Sequence, residues 1–357
     1  MKTVLLVGAG ATLAEAIPKK PSLKKTPPLD ATFFERCKLV FPSILRSTKS
    51  YLKTSYGIDV DAGASSYRME EVFNYLYSDA MRSDASEEAV EAYSSLTRAY
   101  MRVIGETTDW LSGTSRSGVG ALLKGLFKND PQLDLSIITF NQDLVIEKAV
   151  EQMVSLQEYS TIDWDIEEAY GIRFQLTQEL SGSDSDPFES GSGVSIPILK
   201  LHGSLNWFYR VRSGADPKNA VRQPPAGRLL CLNDKAIRRQ LVIGSGPARR
   251  DLIPFVVPPI YEKAARYQQV IEPAWAEARR RLQQANRLII FGYSFPETDF
   301  AARSLFKASF VQNHDLEVVH VIDPSPAMAA RVVELCGDGF VGHCHSVEAF
   351  RRLVLRV

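Results

Sequence analysis

Apolar positions recur along this chain in two rhythms. Short unbroken runs at TVLLV (3–7), LDLSIITF (133–140), PILKL (197–201), RLIIF (287–291) and LEVVHVI (316–322) have the length and β-branched character of strands buried on both faces. Between them, apolar residues fall at helical spacing. MEEVFNYLYSDAM (69–81) and SEEAVEAYSSLTRAYMRVIGETTDWL (86–111) show this best, and DASEEA (84–89) reads as a helix start. Residues 31–127 are therefore expected to be mainly helical. The last third alternates helix and strand: PAWAEARRRLQQA (273–285), RLIIF, FAARSLFKASF (300–310), LEVVHVI, PAMAARVVEL (326–335), GFVGHC (339–344) and VEAFRRLV (347–354). That alternation predicts an α/β fold, a doubly wound parallel sheet in one domain spanning 1–357. A helical insertion at 31–127 follows the first strand, and an irregular insert or lid region occupies 205–260. Within the latter, RLLCL (228–232) and QLVIG (240–244) are candidates for a hairpin or lid elements, and LSGSDSDPFESGSG (180–193) is a polar surface loop. Parallel strands are expected over 3–12, 134–143, 196–204, 287–294 and 316–323, their carboxyl ends facing one cleft.

Composition narrows the function classes. Lys+Arg 42 balance Asp+Glu 42, which argues against a dedicated nucleic-acid binder, and clusters such as EARRRLQQANR (277–287) fit a solvated helix face. TVLLV meets glycine without a cleavage site, and no apolar run is long enough to span a bilayer, so a cytosolic location is expected. The four cysteines, Cys37, Cys231, Cys336 and Cys344, form no Cys-x-x-Cys pair; a disulfide framework or a structural zinc is not expected. His343 and His345 in GHCH fit a packed strand end better than a zinc site.

The strand ends carry the candidate chemistry, because ligands of such sheets bind beyond the carboxyl ends of the strands. VGAGAT puts Gly8 and Gly10 where a backbone can approach a pyrophosphate at a helix N-terminus, although Leu13 stands where the usual dinucleotide fingerprint has a third glycine. TFNQD (139–143) supplies an amide and a carboxylate, and Asp143 fits equally well as a helix cap. LHGS (201–204) ends a strand on His202, which by itself fits a core histidine bonded to backbone better than a base. FGYS (291–294) and VIDPSP (321–326) complete the set.

In this order and at these strand ends, the five motifs resemble the sirtuin superfamily over the strand skeleton, though not over the helical block. The resemblance implies an NAD site. Gly8, Ala9, Gly10, Ala11 and Thr12 would cradle the pyrophosphate; Asn141 would hold the nicotinamide ribose, with Asp143 near the carboxamide. His202 would be the base, while Gly292, Tyr293, Ser294 and Asp323 would serve the adenosine side. Protein deacylases of that family carry two Cys-x-x-Cys pairs and an SGIPDFR loop, and this chain has neither. It looks more like the zinc-free, sirtuin-like NAD hydrolases of bacterial anti-phage defence, which release nicotinamide and ADP-ribose in abortive infection. NAD is then substrate, no metal is required, and a deacylase or a non-catalytic NAD- or ADP-ribose-binding module are the alternatives. Relatives of that kind act as homo-oligomers or with a partner, a HerA-type ATPase or a short Argonaute, so nucleic acid would enter only through the partner. The helical block is equally a place for such contacts and a lid over the site.

Overall fold

Three parallel strands begin the sheet: β1 (Lys2–Val7), β2 (Asp134–Thr139) and β3 (Ile198–Lys200). The chain then turns at 201–202 into β4 (Gly203–Arg212), which joins β5 (Leu230–Cys231), β6 (Val242–Ile243) and β7 (Arg250–Val256) in a second, antiparallel sheet of order β5-β4-β7-β6. β8 (Arg287–Phe291), β9 (Val318–Ile322) and β10 (Val341–Cys344) return to the first sheet on the other side of β1. Its order is β10-β9-β8-β1-β2-β3, so the winding reverses between β1 and β8. Dinucleotide-binding sheets share this arrangement and place their ligand at the reversal. The computed structural model describes residues 1–61, 67–172, 174, 196–212, 229–232, 242–243, 250–258, 260, 265–296, 299–337 and 341–357. The polar loop at 180–193 lies outside the described residues, as do residues 213–228 within the insert expected at 205–260.

The central strands are mostly apolar because helices cover both faces. Every residue of β8 is buried, as are five of the six in β1. Helix α1 (Ala9–Ala16) follows β1 directly, and α2 (Phe33–Val40), α3 (Arg46–Tyr56), α4 (Met69–Ala80), α5 (Glu87–Thr108) and α6 (Val119–Asn129) precede β2. Helix α7 (Val145–Val154) leaves the β2 end, and helices Ala265–Gln283, Phe300–Gln312 and Pro326–Cys336 connect the later strands. The expected start of the longest helix is where the sequence put it. Ser86 accepts from the Ala89 N–H at 3.2 Å, with Glu87 and Glu88 in the first turn, a cap contributing about 1 kcal/mol. From there Tyr93, Leu96, Tyr100 and Val103 form one buried stripe against Phe33, Phe73 and Leu76. The helical block thus has a core of its own, which meets the second sheet at Val256 and takes in Ile260 beyond it.

Several expected strand limits were too generous. β1 stops at Val7 because the Ala11 N–H bonds to Gly8 O (3.0 Å) and opens α1, leaving Ala9 to Thr12 helical rather than extended. β2 stops at Thr139, and β3 keeps only three residues before Gly203, at φ +75, turns the chain into β4. The stretch from 205 onward is therefore less irregular than its polarity suggested, since β4 and β7 pair through it. β5 and β6 lie on opposite edges of that sheet rather than forming a hairpin with each other.

At the reversal the two halves of the parallel sheet touch backbone to backbone. The Gly8 N–H donates to Phe291 O (3.0 Å) and the Gly10 N–H to Gly292 O (2.9 Å). Gly292 has φ +62, and a Cβ there would come within 2.3 Å of the Ala11 nitrogen. Gly292→Ala is expected to lower stability by roughly 2 kcal/mol or more in urea denaturation, combining left-handed strain with displacement of the α1 turn. A loss below about 0.5 kcal/mol would mean that this contact yields easily.

Candidate active site

The carboxyl ends of β1, β2, β3 and β8 and the turn after β9 surround one cavity of about 430 Å³, a volume suited to a small-molecule ligand. Ala9, Gly10 and Thr12 line it from β1–α1, Asn141 and Asp143 from the β2 end, and His202 from the β3 turn. Gly292, Tyr293 and Ser294 contribute from the β8 turn and Asp323 from the β9 turn. Residues from the helical block, among them Asp30, Phe33, Arg68, Glu70 and Tyr100, supply another wall. The lining does not include Gly8, whose amide faces Phe291, or Ala11, which is fully buried.

A polar chain fixes the β2 end. Thr139 Oγ1 donates to Val7 O (2.9 Å) and accepts from the Asn141 N–H (3.0 Å). The Asn141 amide donates to Thr12 Oγ1 (3.1 Å), and Thr12 in turn donates to Asp143 Oδ2 (2.8 Å). Asp143 Oδ1 accepts from the Val145 N–H (3.0 Å), a local turn just before α7. The N-cap position is Leu144, with no side-chain cap bond, so Asp143 is not the helix cap that its place in the sequence suggested. The Thr12 hydroxyl bridges Asn141 to Asp143, and the amides of Gly8, Gly10 and Ala11 are bonded within the protein. A pyrophosphate at this turn would meet the helix end and its partial positive charge rather than those three amides. Burial pushes the Asp143 carboxyl up, and the opposing pull of the Lys200 ammonium does not cancel it.

Lys200 is the residue beneath. Fully buried at the last position of β3, it donates to Glu147 Oε1 (2.8 Å) and to Asp143 O. Glu147 also accepts from the Tyr170 hydroxyl (2.9 Å), which in turn accepts from Asn206 Nδ2 (3.0 Å). Burial, and then the nearby Glu147 charge, hold the Tyr170 phenol well above its ordinary range.

His202 occupies the turn between the two sheets. Its carbonyl accepts from the Val257 N–H (2.9 Å), and the neighbouring Leu201 carbonyl accepts from the Trp275 indole (3.0 Å), so the backbone on both sides is held. The imidazole side chain is 8% exposed and lies edge-to-face on Phe140, centroids 4.8 Å apart. Phe140 stacks on Tyr293 at 4.7 Å. His202 Nε2 sits 3.5 Å from Asp299 Oδ2, the same oxygen that accepts from the Tyr293 hydroxyl at 3.1 Å. Burial first, then the Asp299 charge, raise the Tyr293 phenol well above its usual range.

On the far side of the cavity Ser294 is exposed, its carbonyl accepting from Arg331 (3.0 Å). Half-buried Asp323 accepts from the Ser325 N–H (2.8 Å) just before the helix that Pro326 opens. His343 does not pair with His345; its Nε2 lies 2.8 Å from Asp323 O. All four cysteines are free, and among the described residues no His/Cys/Asp/Glu cluster could hold a metal ion. No described helix is long and apolar enough to cross a membrane.

Sequence reasoning missed Asp299, Lys200, Phe140 and Gln142. Lys200 had a signal, a lone cation inside an apolar run, where only a buried partner makes the position tenable. Asp299 had none, because nothing in FPETDF distinguishes an acid facing His202 from an ordinary helix cap. Gln142 accepts from the Tyr100 hydroxyl (2.9 Å), tying α5 to the β2 end, a contact between positions 42 residues apart.

No family model matches this chain, and no curated protein does. Among solved structures it is similar to a mutant Sir2 homologue in complex with 2′-O-acetyl ADP-ribose, at 14% identity, covering 99% of this chain and 90% of that one, TM-score 0.44. A Sir2 complex with the inhibitor EX-527, 2′-O-acetyl-ADP-ribose and a deacetylated p53 peptide follows, at 12% identity, covering 99% and 92%, TM-score 0.43. A further mutant Sir2 homologue bound to ADP-ribose gives 12% identity, covering 99% and 90%, TM-score 0.39. Values this low amount to a loose likeness, so function has to be argued from this chain's own residues.

Two stability experiments follow from the buried charges. Lys200→Met should cost about 3–5 kcal/mol in chemical denaturation, because Glu147 is left charged without its cation, and adding Glu147→Gln should recover part of it. A single-variant loss under about 1 kcal/mol would show that the pair is not what holds the Asp143 loop. For Asp143, a folded-state pKa above the unfolded value means stability that is present at low pH and lost as pH rises through the folded pKa. The stability advantage of wild type over Asp143→Asn should therefore grow as pH falls from about 7 toward 4, measured by urea midpoints, and a flat difference would remove the burial argument.

Proposed function

We propose that the chain is an NAD hydrolase that cleaves the nicotinamide–ribose bond. The observation that carries the proposal is the convergence of Asn141, Asp143 and His202 on one cavity at the point where the parallel sheet reverses its winding. At that position the N-terminus of α1 favours a pyrophosphate, the Asn141 amide is held in place to meet a ribose hydroxyl, and His202 offers a proton acceptor.

The reaction asks little of the protein. The C1′–N bond breaks with its electron pair going to the ring nitrogen, so the positively charged nicotinamide group leaves neutral. Water bonds to C1′, its proton passes to His202, and the products are nicotinamide, ADP-ribose and one proton. Positioning the ribose and admitting a single water supply most of the acceleration, with the base as the remaining contribution. Phe140 and Tyr293, stacked beside His202, give this end of the cavity an apolar wall that limits bulk water. Hydrolysis is favoured over protein deacylation because the chain lacks both Cys-x-x-Cys pairs of the deacylases it resembles.

In the cell, such an activity fits a toxic effector of anti-phage defence by abortive infection, inactive until assembled. Assembly would be with copies of itself or with a HerA-type ATPase or short Argonaute, through the helical block at 31–127. Support for that block as the controlling element comes from its position: Tyr100 on α5 both lines the cavity and bonds to Gln142, so a contact that shifts α5 reaches the β2 end directly.

If His202 is the base, His202→Ala should lower nicotinamide release by roughly 10²–10⁴-fold. Asn141→Ala should lose at least as much through ribose positioning. Both should melt within a few degrees of wild type. Folded His202→Ala with undiminished turnover would end the catalytic assignment.

A further inference from the structure

The His202 ring does not stand alone in the cavity wall. Its Nε2 edge is turned to Asp299, which comes from a different part of the chain, at the start of helix Phe300–Gln312. The carboxylate is itself held on both oxygens. Oδ1 accepts from the Ala302 N–H (3.1 Å) as the helix cap, and Oδ2 accepts from the Tyr293 hydroxyl (3.1 Å). Asp299 is 5% exposed, so this charge acts at close range with little water to screen it. Phe140 covers the ring from the side and removes its freedom to swing away. An acid fixed at both oxygens, facing one edge of a buried imidazole, is more than a helix cap needs.

We propose that Asp299 is the positioning residue of His202, holding the ring by its Nε2 edge so that Nδ1 is the atom that takes up a proton. The proposal rests on His202 acting as the base. When Nδ1 accepts a proton from water or a ribose hydroxyl, the ring becomes an imidazolium with its Nε2–H beside a carboxylate, and the new positive charge is stabilised where it forms. Other charged groups in the cavity wall are Asp143, Asp30, Glu70, Arg68 and Asp323. Of these and Asp299, it is the Asp299 carboxylate that comes to 3.5 Å from His202 Nε2.

The test uses the full-length protein and a variant that removes charge but keeps the cap. Asp299→Asn retains an oxygen for the Ala302 N–H and is an equally good N-cap, and Asp299→Ser is a second cap-competent variant without a carboxylate. The His202 C2–H resonance, assigned by its loss in His202→Ala, is titrated by NMR in wild type and in both variants without any nucleotide. Losing the facing carboxylate should move the His202 titration down by about one pH unit or more. In parallel, nicotinamide release from NAD is followed against pH. The acidic limb should move down by the same amount and the plateau should fall by roughly ten-fold or more, with KM nearly unchanged. An unchanged His202 titration in folded variants overturns the pairing, whether or not the protein cleaves NAD. A shifted titration with nicotinamide release equal to that of wild type upholds the pairing and defeats His202 as the base of the hydrolase instead.

Discussion

Everything at the candidate site hangs on a backbone contact between two turns. The β1–α1 turn and the β8 turn interlock through Gly8, Gly10 and Gly292, with two amide–carbonyl bonds between them and no space for a β-carbon on the facing surfaces. Such a contact has no side-chain freedom to absorb error. It sets how closely the N-terminal and C-terminal halves of the sheet approach, and so the width of the crevice between Asn141 on one side and Tyr293 and Asp323 on the other. Glycine at these positions serves the fold first. Whatever a dinucleotide gains from the turn comes from the α1 end that this contact aims at the cavity.

The second constraint is electrostatic. The β2 end places Asn141, Gln142 and Asp143 in the interior, all three at most 7% exposed, and each must be hydrogen-bonded there to be tolerated. Thr12, Lys200 and Tyr100 meet that need from three separate segments, and the nearby Val145 amide adds a local bond. The site is therefore held by a network that runs from α1 through β3 to the helical block, rather than by the loop itself. Preorganisation of this kind is what a reaction dominated by positioning requires.

How much of this was legible beforehand follows from the range of each interaction. The parallel strands could be read because burial on both faces leaves continuous apolar runs, and Ser86 marked the start of α5 because capping is local. That Asn141, Asp143 and His202 stand at strand ends, where they line one cavity, could be read for the same reason: polar groups stand out after an apolar run. The antiparallel sheet from β4 to β7 escaped notice because its strands are separated by polar stretches and two of them are two residues long. Asp299 escaped because its partner is 97 positions away, and Lys200 was passed over as one more residue of a strand. The bridging role of Thr12 could not be seen either, since it depends on the register of β1 against β2.

The central claim is that a dinucleotide lies across the reversal of the sheet, with its reacting ribose at His202. A crystal structure of the protein with ADP-ribose tests this most directly. The claim predicts the pyrophosphate over the N-terminus of α1, the adenosine toward Ser294 and Asp323, and the far ribose within hydrogen-bond reach of Asn141 and His202. Density for the ligand on another face of the protein, or in the cavity with the adenosine stacked at Phe140 and the far ribose pointing to Asp323, would contradict it.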